Sequence, residues 1–373
     1  MEDYDHRCGE IVSNFLLRTC LGLRRRLNYH KILALTLCAL TSDAISYGFW
    51  KLLSRFRSRC VVRNRGSFDD AEVALIPLCT GSIAEFYIQP ILSCVSDVDI
   101  MYHHSDQLAI PEGTAPPTHL PADFHSHVEV FDILDSEFPG YVYLQECYLL
   151  TECSNDGSYS AERCQRQYAS WIRNICSDEE VHGPAIVTDL PRLNRTMDEV
   201  YCIRCLSWPS QAADWSTRHR NYGWPDSATV DRIVSNGCDV VRVAHQQCRQ
   251  HEWMGHSLAQ WRLSFSRAEI ILLNSWLPVQ QIVYHMLRVF MKTQQLTEIR
   301  PTDDAGAKMF SNYNLKTLMM WACGRKPRSW WTDDMNVVRI CVELLHTLGV
   351  SLTNARCQHY FIHNCNLMDH NIT

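Results

Sequence analysis

The stretch Thr80–Asp99, TGSIAEFYIQPILSCVSDVD, places a Gly-Ser turn upstream of two carboxylates separated by one residue, an order that few folds can use. On a β-strand Asp97 and Asp99 point to the same face, while Val98 points the other way into a core. Two oxygen ligands on one face can converge on one or two divalent cations. Gly81 lets the chain turn sharply, and Ser82 with the backbone N–H groups after it can hold a terminal phosphate at the start of a helix. An Asp-x-Asp alone is common on solvated strand ends. The added glycine and serine turn the reading towards phosphate and metal chemistry.

Two-metal phosphoryl or nucleotidyl transfer needs a third acid facing the attacking hydroxyl. The candidate is Asp198 in Met197–Cys205, MDEVYCIRC, where Val200 and Ile203 give the pattern of a partly buried strand. Placed beside the strand of Asp97 and Asp99, it brings three acids together across about 5 Å of sheet spacing. Glu199, one position on, faces away from Asp198 and reads as a surface charge.

At 373 residues, with 46% hydrophobic and 20% charged side chains, the chain can bury a large core and hold two or three lobes around a cleft. The apolar piece Ile32–Leu40 is far shorter than a membrane span, so no membrane insertion is expected. The polar opening MEDYDHRCGE does not resemble a secretory signal, which makes the cytoplasm the expected compartment and leaves nuclear entry open. The 18 cysteines are dispersed, and Cys202 and Cys205 lack a second pair at zinc spacing, so neither disulfides nor structural zinc is expected. His359, His363 and Cys365 form a loose cluster around Tyr360, Phe361 and Ile362, a terminal packing segment as readily as a metal site. Residues 1–70 carry a charge of +5 and the rest −11. Arg24, Arg25, Arg26 and Lys31, with Arg55, Arg57, Arg59, Arg63 and Arg65, form a candidate surface for a polyanion backbone, or a solvated helix face.

Hydrophobic periodicity predicts helix within residues 8–60 and strands with loops over 72–152; the polar interval Thr151–Glu180 permits a helix. Trp208-Pro209 and Trp224-Pro225 predict a turn, helix and turn packed over the sheet. Gln260–Asn274, QWRLSFSRAEIILLN, enters a helical phase through Phe265, Ala268, Ile271 and Leu272. Near it, Arg262 is a candidate for phosphate, with Ser264 and Glu269 for base edges. Trp276 to Gln295 and Asn314 to Leu348 read as an α-rich lobe. Tyr313, placed just before the second helix, is a candidate base-stacking side chain, and Lys292 and Lys316 are candidates for neutralising phosphate.

TGS at Thr80–Ser82, DVD at Asp97–Asp99, MDEVYCIRC, WRLSFSRAE at Trp261–Glu269, FSNYNLKT at Phe310–Thr317 and YFIHNCNL at Tyr360–Leu367 occur in one order. Together they resemble the cyclic GMP-AMP synthase-like receptors of the male-abnormal-21 family over roughly residues 10–367. The resemblance implies an α+β, two-lobed nucleotidyltransferase with a mixed catalytic β-sheet and a helical C-terminal lobe. It divides the chain into a core with an N-terminal helical region, residues 1–270, and a lobe, residues 271–373. Asp97, Asp99 and Asp198 match the metal-binding catalytic acids, and Gly81 and Ser82 the phosphate-binding turn. Arg262, Ser264, Glu269, Lys292, Asn312 and Tyr313 fall at nucleotide-side positions, Tyr313 at the base-stacking one. Asn312 stands where the vertebrate synthase has a base-contacting serine, so the purine preference does not transfer.

The implied cofactor is Mg²⁺ or Mn²⁺, with ATP, GTP or other ribonucleoside triphosphates as substrates. The implied product is a cyclic dinucleotide of innate immune signalling, read by a STING-type receptor. The zinc-binding insertion of the vertebrate DNA sensor is missing, since Ile270–Met309 has no Cys and only His285. That departure favours double-stranded RNA over DNA as activator. The alternative is a catalytically inactive relative acting as a developmental or protein-interaction scaffold.

Overall fold

The computed structural model of the protein describes residues 73–81, 98–168, 181–182, 185–190, 195–245, 260–294, 311–331 and 337–368. Asp97, Ser82 and the basic positions Arg24, Arg25, Arg26, Lys31, Arg55, Arg57 and Arg59 lie outside the described residues, as does the side chain of Lys292.

Ten strands form one mixed sheet: β1 (Leu75–Thr80), β2 (Val98–Pro111), β3 (His127–Asp135), β4 (Tyr141–Glu152), β5 (Tyr159–Tyr168), β6 (Val181–His182), β7 (Ala185–Leu190), β8 (Arg195–Cys205), β9 (Cys238–Val241) and β10 (Gln260–Ser264). The spatial order is β1-β2-β3-β4-β10-β9-β8-β7-β6, with β5 beside β4 and β2 also paired to β8. The path from β2 through β3, β4, β10, β9 and β8 therefore returns to β2. The pairs β2–β3 and β2–β8 are parallel and the others antiparallel. With its helices the architecture is α+β, a mixed sheet followed by a helical C-terminal region.

Two sequence expectations are corrected here. Gln260–Asn274 is not helical throughout, because Gln260–Ser264 is β10, wedged between β4 and β9. Its alternation decides this: Trp261 and Leu263 are buried while Arg262 between them is exposed. Tyr159–Tyr168, inside the interval that permitted a helix, is instead β5, brought back onto β4 by a turn in which Asp156 accepts the N–H and hydroxyl of Ser158.

The helices follow local signals. Between Trp208 and Trp224 a short 3-10 turn, Ser210–Ala212, leads into α1 (Ala213–Thr217), whose Trp215 is fully buried. Helix α2 (Ser227–Asn236) starts where Asp226 accepts the Thr229 N–H at 2.7 Å. It stops at Gly237, whose φ of 65° and close approach to the Cys205 carbonyl leave no room for a side chain. Helix α3 (Ser266–Asn274) leaves β10 directly, followed by α4 (Pro278–Thr293). Helix α5 (Asn312–Arg325) opens with a reciprocal cap between Ser311 and Asn314, so Tyr313 belongs to its first turn rather than to the preceding connection. Then come α6 (Arg328–Trp331) and α7 (Val337–Thr353).

One core joins sheet and helices. Ile203, Val240 and Leu263 from the strands pack with Leu272, Leu287, Leu315 and Met320 from α3, α4 and α5. The last described segment seals this core, with Phe361 stacked on Phe265 at 4.6 Å and packed against Trp208 and Trp215. Trp208 and Trp224 serve this packing through indole N–H bonds to the Ala212 carbonyl and the Ser275 hydroxyl.

Candidate active site

The acids come together through register. Strands β2 and β8 run parallel with Asp99 opposite Asp198 and Ile100 opposite Glu199. Directly paired residues share a face, so both aspartates lie on one side and Glu199 on the other, as the alternation predicts. Each aspartate is half-buried. Further along the same rows, Met101 and Cys202 pack with Val241 into an apolar patch beneath the acids.

Gly81 is built against this pair. Thr80 stands opposite Asp99 across the antiparallel β1–β2 ladder, and the chain turns at Gly81 with φ +60°. A Cβ there would overlap the Asp99 carboxylate, lying 2.6 Å from its carboxyl carbon. The turn therefore needs glycine for its backbone and for the space the acid occupies. Hard carboxylate oxygens side by side on adjacent strands suit Mg²⁺ or Mn²⁺. Among the described residues no group of three or more His, Cys, Asp or Glu side chains able to hold a metal forms, and Asp97 lies outside them.

Gly81→Ala should displace the Asp99 carboxylate and strain the turn. The expected stability loss is about 1–2 kcal/mol. Thermal denaturation measures it, and an unchanged midpoint would mean that Gly81 does not need its left-handed conformation.

The other candidates gather where β10 passes into α3. Arg262 and Ser264 lie on the same side of β10, opposite Val241 and Asp239 of β9. The Ser264 hydroxyl reaches the Ser266 hydroxyl at 3.2 Å and the Met101 sulfur at 3.9 Å, which ties this end of β10 to the row carrying Asp99. Arg262 is exposed. Glu269, one turn into α3, is buried and paired with Lys316 of α5 at 2.8 Å. Lys316, which the sequence offered to phosphate, is thus held by a carboxylate.

Tyr313 lies beside this pair, with the Lys316 ammonium 5.9 Å from its ring centre and its hydroxyl 3.1 Å from His359 Nε2. Burial raises its phenol pKa well above the ordinary value, and the Glu269 charge acts in the same direction. Asn312 is exposed one residue earlier. His359 was missed as a site residue because nothing local links it to a tyrosine 46 positions away. The sequence offered it as packing or as one of a loose His359, His363 and Cys365 metal cluster, not as a partner of Tyr313.

A buried ion pair fixes the frame. Asp239 on β9 is fully buried, and its Oδ2 accepts from Arg267 Nε of α3 at 2.8 Å. Arg204 stands opposite Asp239 on β8 and donates to the carbonyls of Cys205, Cys238 and Asn236. Helix α3 is therefore pinned by charge to the strand that neighbours the Asp198 strand.

Comparison with known proteins identifies two matching family descriptions in this chain. Residues 149–275 match the family described as the Mab-21 protein nucleotidyltransferase domain, and residues 280–373 the Mab-21 protein HhH/H2TH-like domain. Transmembrane protein 102 of Mus musculus is 29% identical over 144 residues, 38% of this chain and 26% of that protein. Protein mab-21-like of Aedes aegypti is 29% identical over 161 residues, 43% of this chain and 40% of the relative. The Drosophila melanogaster protein of the same description is 23% identical over 218 residues, 55% of each. The matches span from about a quarter to just over half of these relatives' lengths. Among the described residues no helix is long and apolar enough to cross a membrane.

Proposed function

This chain belongs to the Mab-21 family, which includes cyclic GMP-AMP synthase-like proteins, and on that premise we propose that it is a metal-dependent nucleotidyltransferase forming a cyclic dinucleotide. One observation carries the reading: Asp99 and Asp198 are direct neighbours on parallel strands, with Gly81 turned against Asp99.

Asp97, Asp99 and Asp198 are the residues to hold Mg²⁺ or Mn²⁺. When bound there, the metal supplies neutralisation of the triphosphate charge and of the pyrophosphate leaving group. The chain's own residues do the rest. Gly81 and Ser82 cradle the terminal phosphates. Asp198, on the strand beside Asp99, accepts the proton of the acceptor ribose hydroxyl at a carboxylate oxygen. The hydroxyl oxygen bonds to the α-phosphorus as the bond to pyrophosphate breaks. Arg262 steadies phosphate, Ser264, Glu269 and Asn312 line the base side, and Tyr313 stacks on a base. A second transfer closes the linear dinucleotide. The division near residue 270 separates the acids from the base-stacking lobe. Duplex RNA on the basic N-terminal residues is the proposed activator.

A second reading, a scaffold without catalysis, is favoured by one observation: the Aedes and Drosophila relatives are described as protein mab-21-like, with no enzyme activity in that description. Mn²⁺ titration followed by electron paramagnetic resonance, with and without an α,β-methylene nucleoside triphosphate, separates the two. The enzyme reading predicts nucleotide-enhanced Mn²⁺ binding that Asp99→Asn removes; Mn²⁺ binding indifferent to Asp99 supports the scaffold.

A further inference from the structure

The hydrogen bonds around His359 fix its ring and aim it at the Tyr313 hydroxyl. His359 Nδ1 accepts two backbone N–H groups, from Phe361 at 3.1 Å and Ile362 at 3.0 Å. An Nδ1 that accepts carries no proton, so the neutral ring bears its hydrogen on Nε2. Burial lowers the His359 pKa to about 4, which keeps the ring neutral at neutral pH. The Nε2–H then donates to the Tyr313 hydroxyl across 3.1 Å. The phenol hydrogen is left free for an acceptor, and burial together with the nearby Glu269 charge raises the phenol pKa.

The His359 segment is itself anchored. His359 N–H donates to the Cys365 carbonyl at 2.7 Å, and the neighbouring Tyr360 carbonyl accepts from Arg218 at 2.8 Å. The ring also packs near Phe265, the residue joining β10 to α3. A histidine fixed in tautomer and position, aimed at one hydroxyl, does more than fill the core.

We propose that His359 is a positioning residue for nucleotide binding: its Nε2–H tethers the Tyr313 hydroxyl and so sets the angle at which the Tyr313 ring meets a nucleobase. The proposal rests on the nucleotidyltransferase reading. It adds that the last segment of the helical lobe shapes the base site from behind, through a residue that never touches substrate. Fixing the ring before binding removes rotamer entropy that stacking would otherwise cost.

The test is a double-mutant cycle on the full chain, read by calorimetric affinity for α,β-methylene analogues of the four ribonucleoside triphosphates with Mg²⁺, with and without duplex RNA. His359→Asn keeps an acceptor for the two backbone N–H groups and loses the donor to Tyr313. Tyr313→Phe removes the same bond from the other side and keeps the ring. Each should weaken binding about three- to tenfold, and His359→Asn should add less than about twofold in the Tyr313→Phe background. Equal effects of His359→Asn in both backgrounds, or unchanged affinity in both single variants of a wild type that binds, would overturn the tether. If His359→Asn fails to fold, Tyr313→Phe decides alone: weakened binding supports the tether and unchanged binding rejects it. A wild type that binds none of the four analogues overturns the parent reading and this proposal with it.

Discussion

Asp198→Asn should lower nucleotidyl transfer about a thousandfold, equivalent to roughly 4 kcal/mol of transition-state stabilisation, and leave the fold intact. Asparagine keeps the shape of the side chain and removes its charge. Asp198 is half-buried at the start of β8, where it meets Asp99 in parallel register. The strand does not depend on that charge, because its hold on the core comes from Cys202, Ile203 and Cys205 further along. Loss of activity should therefore come without loss of thermal stability. Glu199→Gln is the matched control, since Glu199 pairs with Ile100 on the opposite face. Turnover with radiolabelled triphosphates measures both; equal losses in the two variants would contradict the assignment of faces.

Arg267→Met should produce the largest loss of stability. It strips the partner from Asp239, which is fully buried and keeps its other oxygen without a hydrogen bond. Leaving a buried carboxylate uncompensated costs about 3–5 kcal/mol. Arg204, opposite Asp239 on β8, offsets part of that charge and places the expected cost near the lower end. In a chain of this size the thermal midpoint should fall by about 4 °C. Adding Asp239→Leu to Arg267→Met should recover part of the fall, because the orphaned charge goes with it. The consequence for the site is direct, since Arg267 holds the first turn of α3, two residues before Glu269. A midpoint within about 1 °C of wild type would show that the pair does not hold the helix.

What the sequence revealed followed local periodicity. Asp99 and Asp198 could be read because strands alternate with period two, which sets Asp198 and Glu199 on opposite faces. Gly81 could be read because few residues tolerate a sharp turn beside a carboxylate. The aromatic run Tyr360–Ile362 read correctly as packing, since all three side chains are buried. The start of α3 was misplaced because Phe265, Ala268 and Leu272 carry a helical phase that blurs the alternation of Trp261 to Leu263. Only the neighbours β4 and β9 settle the boundary. Long-range polar pairs left no local trace. Asp239 and Arg267 are 28 residues apart, Glu269 and Lys316 47, and each pair forms only once the sheet and α5 are in place.

The central claim is that Asp99 and Asp198, with Asp97, carry a nucleotidyl transfer ending in a cyclic dinucleotide. The most direct measurement is product-resolved mass spectrometry of the full chain incubated with all four ribonucleoside triphosphates and Mg²⁺ or Mn²⁺, with duplex RNA, duplex DNA or neither. The account predicts a cyclic dinucleotide that depends on metal and duplex RNA and vanishes in Asp99→Asn. A cyclic product that persists in Asp99→Asn, or no product under any of these conditions, would contradict it.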